Sequence, residues 1–464
     1  MTLESTTLAI RSRLGDVLER YPWSFIGFLV LCQVVPSFYS LTNTYWIGHI
    51  SNNALAITEQ YEFLSVTIQI VNDTIPFGVL ALVAQNFHDK ERVISILKTG
   101  FIVQLIFSTA LMVGTLVFLP QFVSSIGTPA QIVASTKSYL TLQSIALPFN
   151  SLALLLLTAI QSMRKAKESL YIITISIVLN MVMDLFLISN TSFSLHWGIE
   201  GSAFDYVISQ VVIFVASAVY LAKILSIKLT SFSFSDLGVW LRPLFGIGGW
   251  TGLDSVVRNI GYILVPLNVL NVIGVNPYGG YELAMTVMWT LIIPMLAITQ
   301  GTNIVIGNLY GERNYPDLKR ALLASVLIVT GIMIAIAVIG IFLWNDMSAF
   351  FNQNPAMVYY STQTFWWMMI PYVLYGIGSV LKSVFYGTGI TKYICYISSW
   401  CNFGLIIPFW ILARLGYITA SFTNVMTLFV IVFAIDLIIT LPYLRGVMRD
   451  VKARSASRVA PISV

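Results

Sequence analysis

The chain has 464 residues, 57% of them Ala, Val, Ile, Leu, Met, Phe, Trp, Tyr or Cys and only 10% charged. Soluble globular chains carry roughly 25% charged residues, so this composition excludes a surface that mostly faces water. With a mean hydropathy of +0.83, it requires one that faces lipid. The formal net charge of +5 is scattered in short clusters between apolar runs, which is the pattern of a membrane-orientation signal and excludes nucleic acid as a partner.

Residues 1–20 mix acids and bases and lack a long apolar core, so they make a poor signal peptide. A retained cytoplasmic segment is expected over 1–22. Apolar runs long enough to cross a bilayer then predict spans near 23–48, 58–84, 97–119, 133–160, 169–189 and 198–222. A second set is predicted near 244–271, 279–307, 320–344, 357–387, 392–413 and 416–444. The polar-leaning stretch 223–243 separates an N-lobe (23–222) from a C-lobe (244–444), and 445–464 forms a tail. Cys32, Cys395 and Cys401 all lie in apolar runs and read as buried free thiols. The sequon Asn190-Thr191-Ser192 falls in an outer loop too short to favour glycosylation.

Lys and Arg fix the expected orientation. They crowd the even-numbered connections (Lys90, Arg92, Arg164, Lys165, Lys223, Arg242, Arg313, Lys319, Lys392) and both ends of the chain, while the odd-numbered connections offer only Lys137 and Arg414. Positive charge stays inside, so both termini are expected to be cytoplasmic and the number of spans even.

The two halves also repeat. Gly78–Phe87 (GVLALVAQNF), followed by HDKER, matches Gly301–Tyr310 (GTNIVIGNLY), followed by GERN, at an offset of 223 residues. Pro148 and Pro371 share that offset. A shift of six spans preserves orientation, which predicts parallel repeats about an axis along the membrane normal.

Several stretches carry a family resemblance: YSLTNTYWIGHIS at the end of the first span, LVAQ before a charged turn, LNMVMDLFLI followed by GIEGSA, and FYGTGITKY after the tenth span. Together, over nearly the whole chain, they resemble the multidrug and toxic compound extrusion (MATE) transporters. The resemblance implies an all-α polytopic membrane protein with twelve helices in two pseudo-symmetric six-helix bundles. It also implies export of amphipathic, often cationic compounds against entering H⁺ or Na⁺.

Ionisable and amide side chains inside the spans are expensive and therefore mark candidate sites. Asn180 and Asp184 are four residues apart and share a helix face. Counted at 1.5 Å per residue, Asn43, Asn180, Asp184 and Asp205 all lie roughly 10 Å below the outer surface. These oxygens suit Na⁺, with Asp184 and Asn180 as its ligands, and the carboxylates can equally carry H⁺. Tyr39, one turn before Asn43, is placed to hydrogen-bond into the same site. By the resemblance, Asp184 stands at the family's coupling carboxylate, whereas Asn43 replaces a usual aspartate. Asp205 stands where relatives carry a small or neutral residue and is expected to restore that charge.

In the second half, Asp254 and Arg258 form an i,i+4 ion pair or, alternatively, make Asp254 a cation contact. Glu282, Lys382 and Asp436 are placed near membrane faces, where snorkelling is expected for the lysine. Trp250, Met285 and Trp289 are candidates for a substrate cleft.

The expected function is a monomeric secondary antiporter in the plasma membrane, handling a small organic substrate, contacting membrane lipid and using H⁺ or Na⁺ with no bound cofactor. The alternatives are a lipid or lipid-linked glycan flippase of a related fold and a non-transporting relative. A membrane enzyme would need a constellation such as HExxH or a Ser/Lys dyad, and the sequence contains none.

Overall fold

The computed structural model describes residues 21–50, 54–125, 128, 131–189, 192–226, 235–351 and 354–456. The expectations for residues 1–20, the middle of the linker (227–234), Asn190 and Thr191 of the sequon, and the end of the tail fall outside the described residues. The described residues form helices and short connections, with no strand among them. Among the described residues, eleven helices are long and apolar enough to cross a membrane, and a bent pair makes twelve when counted as one span.

The first six helices are α1 (Trp23–Ile50), α2 (Ala54–Asn86), α3 (Lys90–Ser125), α4 (Val133–Ser162), α5 (Ala166–Leu187) and α6 (Gly198–Leu225). The remaining spans are α7 (Ser235–Tyr262), α8a (Val275–Leu291) and α8b (Ile293–Gly311), α9 (Tyr315–Phe351), α10 (Pro355–Thr388), α11a (Lys392–Cys401) and α11b (Ile407–Arg414), and α12 (Phe422–Ala456).

One expected span is corrected in shape. The continuous helix read over 279–307 is two helices bent by 50°. Pro294 opens α8b, and without a backbone N–H it cannot continue the hydrogen-bond ladder of the preceding turn. Two further spans carry π-helical turns, Ile263–Leu270 after α7 and Asn402–Ile406 between α11a and α11b. Within the first, the Asn268 side-chain amide donates to the Ile263 carbonyl at 2.7 Å.

The chain divides into two compact units, residues 27–252 and residues 1–26 with 253–464. Within the first, α4 is central and packs against α2, α3 and α6, while α5 pairs with α6. Within the second, α10 is central and packs against α8a, α8b, α9 and α12. The two central helices are six spans apart, and each contains its repeat-related proline, Pro148 or Pro371.

Apolar residues do not drive helices together in lipid, so close backbone approach matters more. On α7, a Cβ added to Gly248 would stand 1.9 Å from the Thr74 carbonyl oxygen, and one on Gly252 would stand 2.0 Å from the Thr74 hydroxyl. This Gly-xxx-Gly face seats α7 on α2, and the Thr251 hydroxyl donates to the Asp73 carbonyl at 2.6 Å. The first turns of α7 therefore belong to the first unit. The three cysteines are free and buried.

Candidate coupling-ion site

Helix α5 is polar on its inner face and apolar on its outer one. Ser176, Asn180 and Asp184 follow one another at one-turn spacing and are buried, while Ile175, Val178, Val182 and Phe186 are exposed. This is the reverse of a soluble amphipathic helix, as expected where lipid replaces water. Helix α6 repeats the pattern, with Ser202, Asp205 and Ser209 buried and Phe204, Val215 and Val219 exposed.

A tight hairpin sets the two faces opposite each other. Leu195 N–H donates to the Phe186 carbonyl at 2.7 Å, and Trp197 N–H to the Leu187 carbonyl at 2.8 Å. Gly198 takes a positive φ of 63°, and a Cβ added at Gly201 would crowd Leu187, Ile188 and Trp197 at 3.0–3.3 Å.

The carboxyls of Asp184 and Asp205 consequently meet, within hydrogen-bonding reach of each other. Their residues are 1% and 2% exposed. The Tyr39 hydroxyl, from α1, donates to Asp184 Oδ2 at 3.2 Å and also reaches Asn180. One turn further along α1, the Asn43 amide oxygen is buried without a partner. Asn180 Oδ1, Asp184 Oδ1 and Asp205 Oδ1 are likewise buried and unpartnered.

These four atoms are all acceptors. Buried acceptors are normally satisfied, and two bare carboxylates cannot face one another in an apolar interior without a proton or cation between them. Asp184 also lies in the last turn of α5, where its carbonyl accepts from Ile188 and Ser189. A helix C-terminus carries partial negative charge and favours a cation. The donor set of carboxylate, amide and phenol oxygens fits a small hard cation such as Na⁺, and the facing acids equally fit a proton.

Sequence reasoning missed two neighbours. The Ser176 hydroxyl donates to the Ser209 carbonyl at 3.2 Å, and Ser209 Oγ is buried without a partner. Both stand one turn from an identified residue, Ser176 from Asn180 and Ser209 from Asp205, and that spacing was the available signal.

In the second unit, Arg258 Nε donates to Asp254 Oδ2 at 2.9 Å, with the acid side chain 4% exposed and the arginine 51%. Asp254 Oδ1 is buried and unpartnered. Lys382 does not snorkel as expected. Its ammonium lies 2.7 Å from both oxygens of Asp436. Glu282 Oε1 accepts from the Tyr262 hydroxyl at 3.3 Å. Of the cleft candidates, Met285 is buried and accepts from the Tyr372 hydroxyl at 3.5 Å. Trp289 is exposed and packs edge-on against Tyr375, and Trp250 is partly buried in the first unit.

Such a fold, with a buried polar cluster in lipid-spanning helices, defines a multi-pass membrane transporter built on two repeats. The chain belongs to the MatE family, whose model matches it twice, over residues 29–186 and 251–412. It is similar to the probable multidrug resistance protein YoeA of Bacillus subtilis, with 22% identity over 83% of this chain and 84% of that one. A MATE crystal structure in a bent conformation superposes with a TM-score of 0.83 at 19% identity, covering 95% of this chain and 98% of the other. A MOP-superfamily transporter from Pyrococcus furiosus Vc1, described as having a binding pocket of reverse polarity, superposes with a TM-score of 0.81 at 18% identity, covering 94% and 98%.

Proposed function

We propose that the protein is a cation-coupled antiporter that exports amphipathic organic cations across the plasma membrane by alternating access of its two lobes. The observation that carries the reading is the set of four buried, unpartnered acceptor oxygens on Asn43, Asn180, Asp184 and Asp205, around two facing carboxyls. H⁺ or Na⁺ entering down its gradient loads this site and neutralises the acids. The loaded and empty lobes then favour different conformations, and differential binding to two states is what coupling requires. The family assignment and the name of the Bacillus subtilis relative support a drug-like substrate.

The test is efflux of a fluorescent organic cation from proteoliposomes under an imposed H⁺ or Na⁺ gradient, each applied alone. Acceleration by one gradient is the expected result. Equal rates under both gradients and under none would remove the coupling role.

A further inference from the structure

At the end of the second unit where α8b stops and α12 ends, two arginines and a tyrosine surround a cavity. It is lined by Leu309, Tyr310, Arg313, Val451 and Arg454, and its volume is about 180 Å³. That lies below the roughly 300–1,000 Å³ of pockets for drug-sized ligands, so it suits a headgroup or small anion. Glu312, next to Arg313 in sequence, is not among its lining residues.

The cavity is built, not merely charged. Arg313 holds a left-handed backbone conformation, φ 56°, a state uncommon outside glycine and costly unless its surroundings enforce it. Here they do. Its N–H donates to the Tyr310 carbonyl at 3.0 Å, and the next residue, Asn314, donates to the Leu309 carbonyl at 2.9 Å. The Ser455 hydroxyl, from α12, donates to the Arg313 carbonyl at 2.7 Å. The same helix brings Arg454 onto Tyr310, where its guanidinium donates to the phenol oxygen and lies 5.7 Å from the ring centre.

The lining is divided by chemistry. Leu309 and Val451 are buried and apolar, while Arg313 and Arg454 are exposed at the rim. Arginine forks match phosphate oxygens with paired donors. The exposed cations Arg445, Arg449 and Lys452 continue along α12, which adds attraction toward an anionic surface.

From this arrangement we infer that Tyr310, Arg313 and Arg454 form a phosphate-binding site at the membrane face where α8b and α12 end. Its ligand is the phosphate of an anionic lipid headgroup or a free phosphate ion. The two guanidiniums and the phenol hold the oxygens, and the apolar floor accepts the adjoining glycerol carbons of a lipid.

The experiment uses the full chain in lipid nanodiscs and counts retained phosphatidylglycerol by native mass spectrometry, against phosphatidylcholine, with and without millimolar inorganic phosphate. The Arg313→Gln/Arg454→Gln variant is expected to lose at least tenfold in phosphatidylglycerol retention, whereas Arg449→Gln, outside the cavity, keeps it within twofold. Retention unmoved by inorganic phosphate identifies the lipid headgroup as ligand, and its displacement identifies a site for free phosphate as well. Equal retention by the wild type and the double variant, or a wild type that holds neither phosphatidylglycerol nor inorganic phosphate, overturns the site. Arg313→Gln alone, checked for an unchanged melting temperature, separates loss of binding from misfolding of α12.

Discussion

The Lys382 ammonium of α10 is held 2.7 Å from both carboxylate oxygens of Asp436 on α12. The lysine side chain is 18% exposed and the aspartate 25%. Removing one member of such a pair leaves an uncompensated charge, at a cost of about 3–5 kcal/mol, whereas replacing both by apolar residues is often neutral. Asp436→Leu should therefore lower the melting temperature of the purified protein sharply, and Lys382→Met in that background should recover most of it. A double variant no more stable than Asp436→Leu would show that the stranded lysine is not the cause of the loss.

Asp184 and Asp205 should separate in function without separating in folding. Asp184→Asn keeps the shape of the side chain and should abolish gradient-driven efflux in proteoliposomes while expression and melting remain near wild type. Asp205→Asn should weaken coupling, and adding Asn43→Asp should partly restore it by returning a charge from α1. Wild-type efflux from Asp184→Asn would remove the site. Indifference to Asp205→Asn would leave Asp184 acting alone.

Two adjacent glycines of α7 should behave oppositely. Gly248→Ala places a methyl group against the Thr74 backbone, where overpacking costs on the order of 1–3 kcal/mol. Gly249, with nothing within 4 Å of an added Cβ, should tolerate alanine or gain up to about 1 kcal/mol from lower backbone entropy. Thermal unfolding of the two variants side by side reads the difference. Equal melting temperatures would contradict the close α2–α7 seating.

The orientation is tested from the tail. Ser455→Cys should resist a membrane-impermeant maleimide in intact cells and react after permeabilisation, as a cytoplasmic C-terminus requires. Rapid labelling of intact cells would invert the topology read from Lys and Arg.

Sequence alone determined the lipid-facing character, the number of spans, the six-span repeat and the polar positions Asn180 and Asp184. Each depends on residue composition, spacing or periodicity, which a membrane constrains strongly because backbone hydrogen bonds must close within each span. The break before Pro294 was legible in principle, since proline removes a ladder donor, but a proline within a span does not announce whether it bends the helix. Partners across helices were legible only in part: a common depth grouped Asp205 with Asp184 in one site, but spacing along the chain could not bring their carboxyls together. That Asp205 meets Asp184 depends on the hairpin joining α5 and α6, and that Lys382 meets Asp436, 54 residues away, depends on α10 and α12 packing together. Likewise, the cavity beside Tyr310 exists only because α12 returns to the end of α8b. Local spacing fixes which face of a helix is polar, but only tertiary packing decides what that face meets.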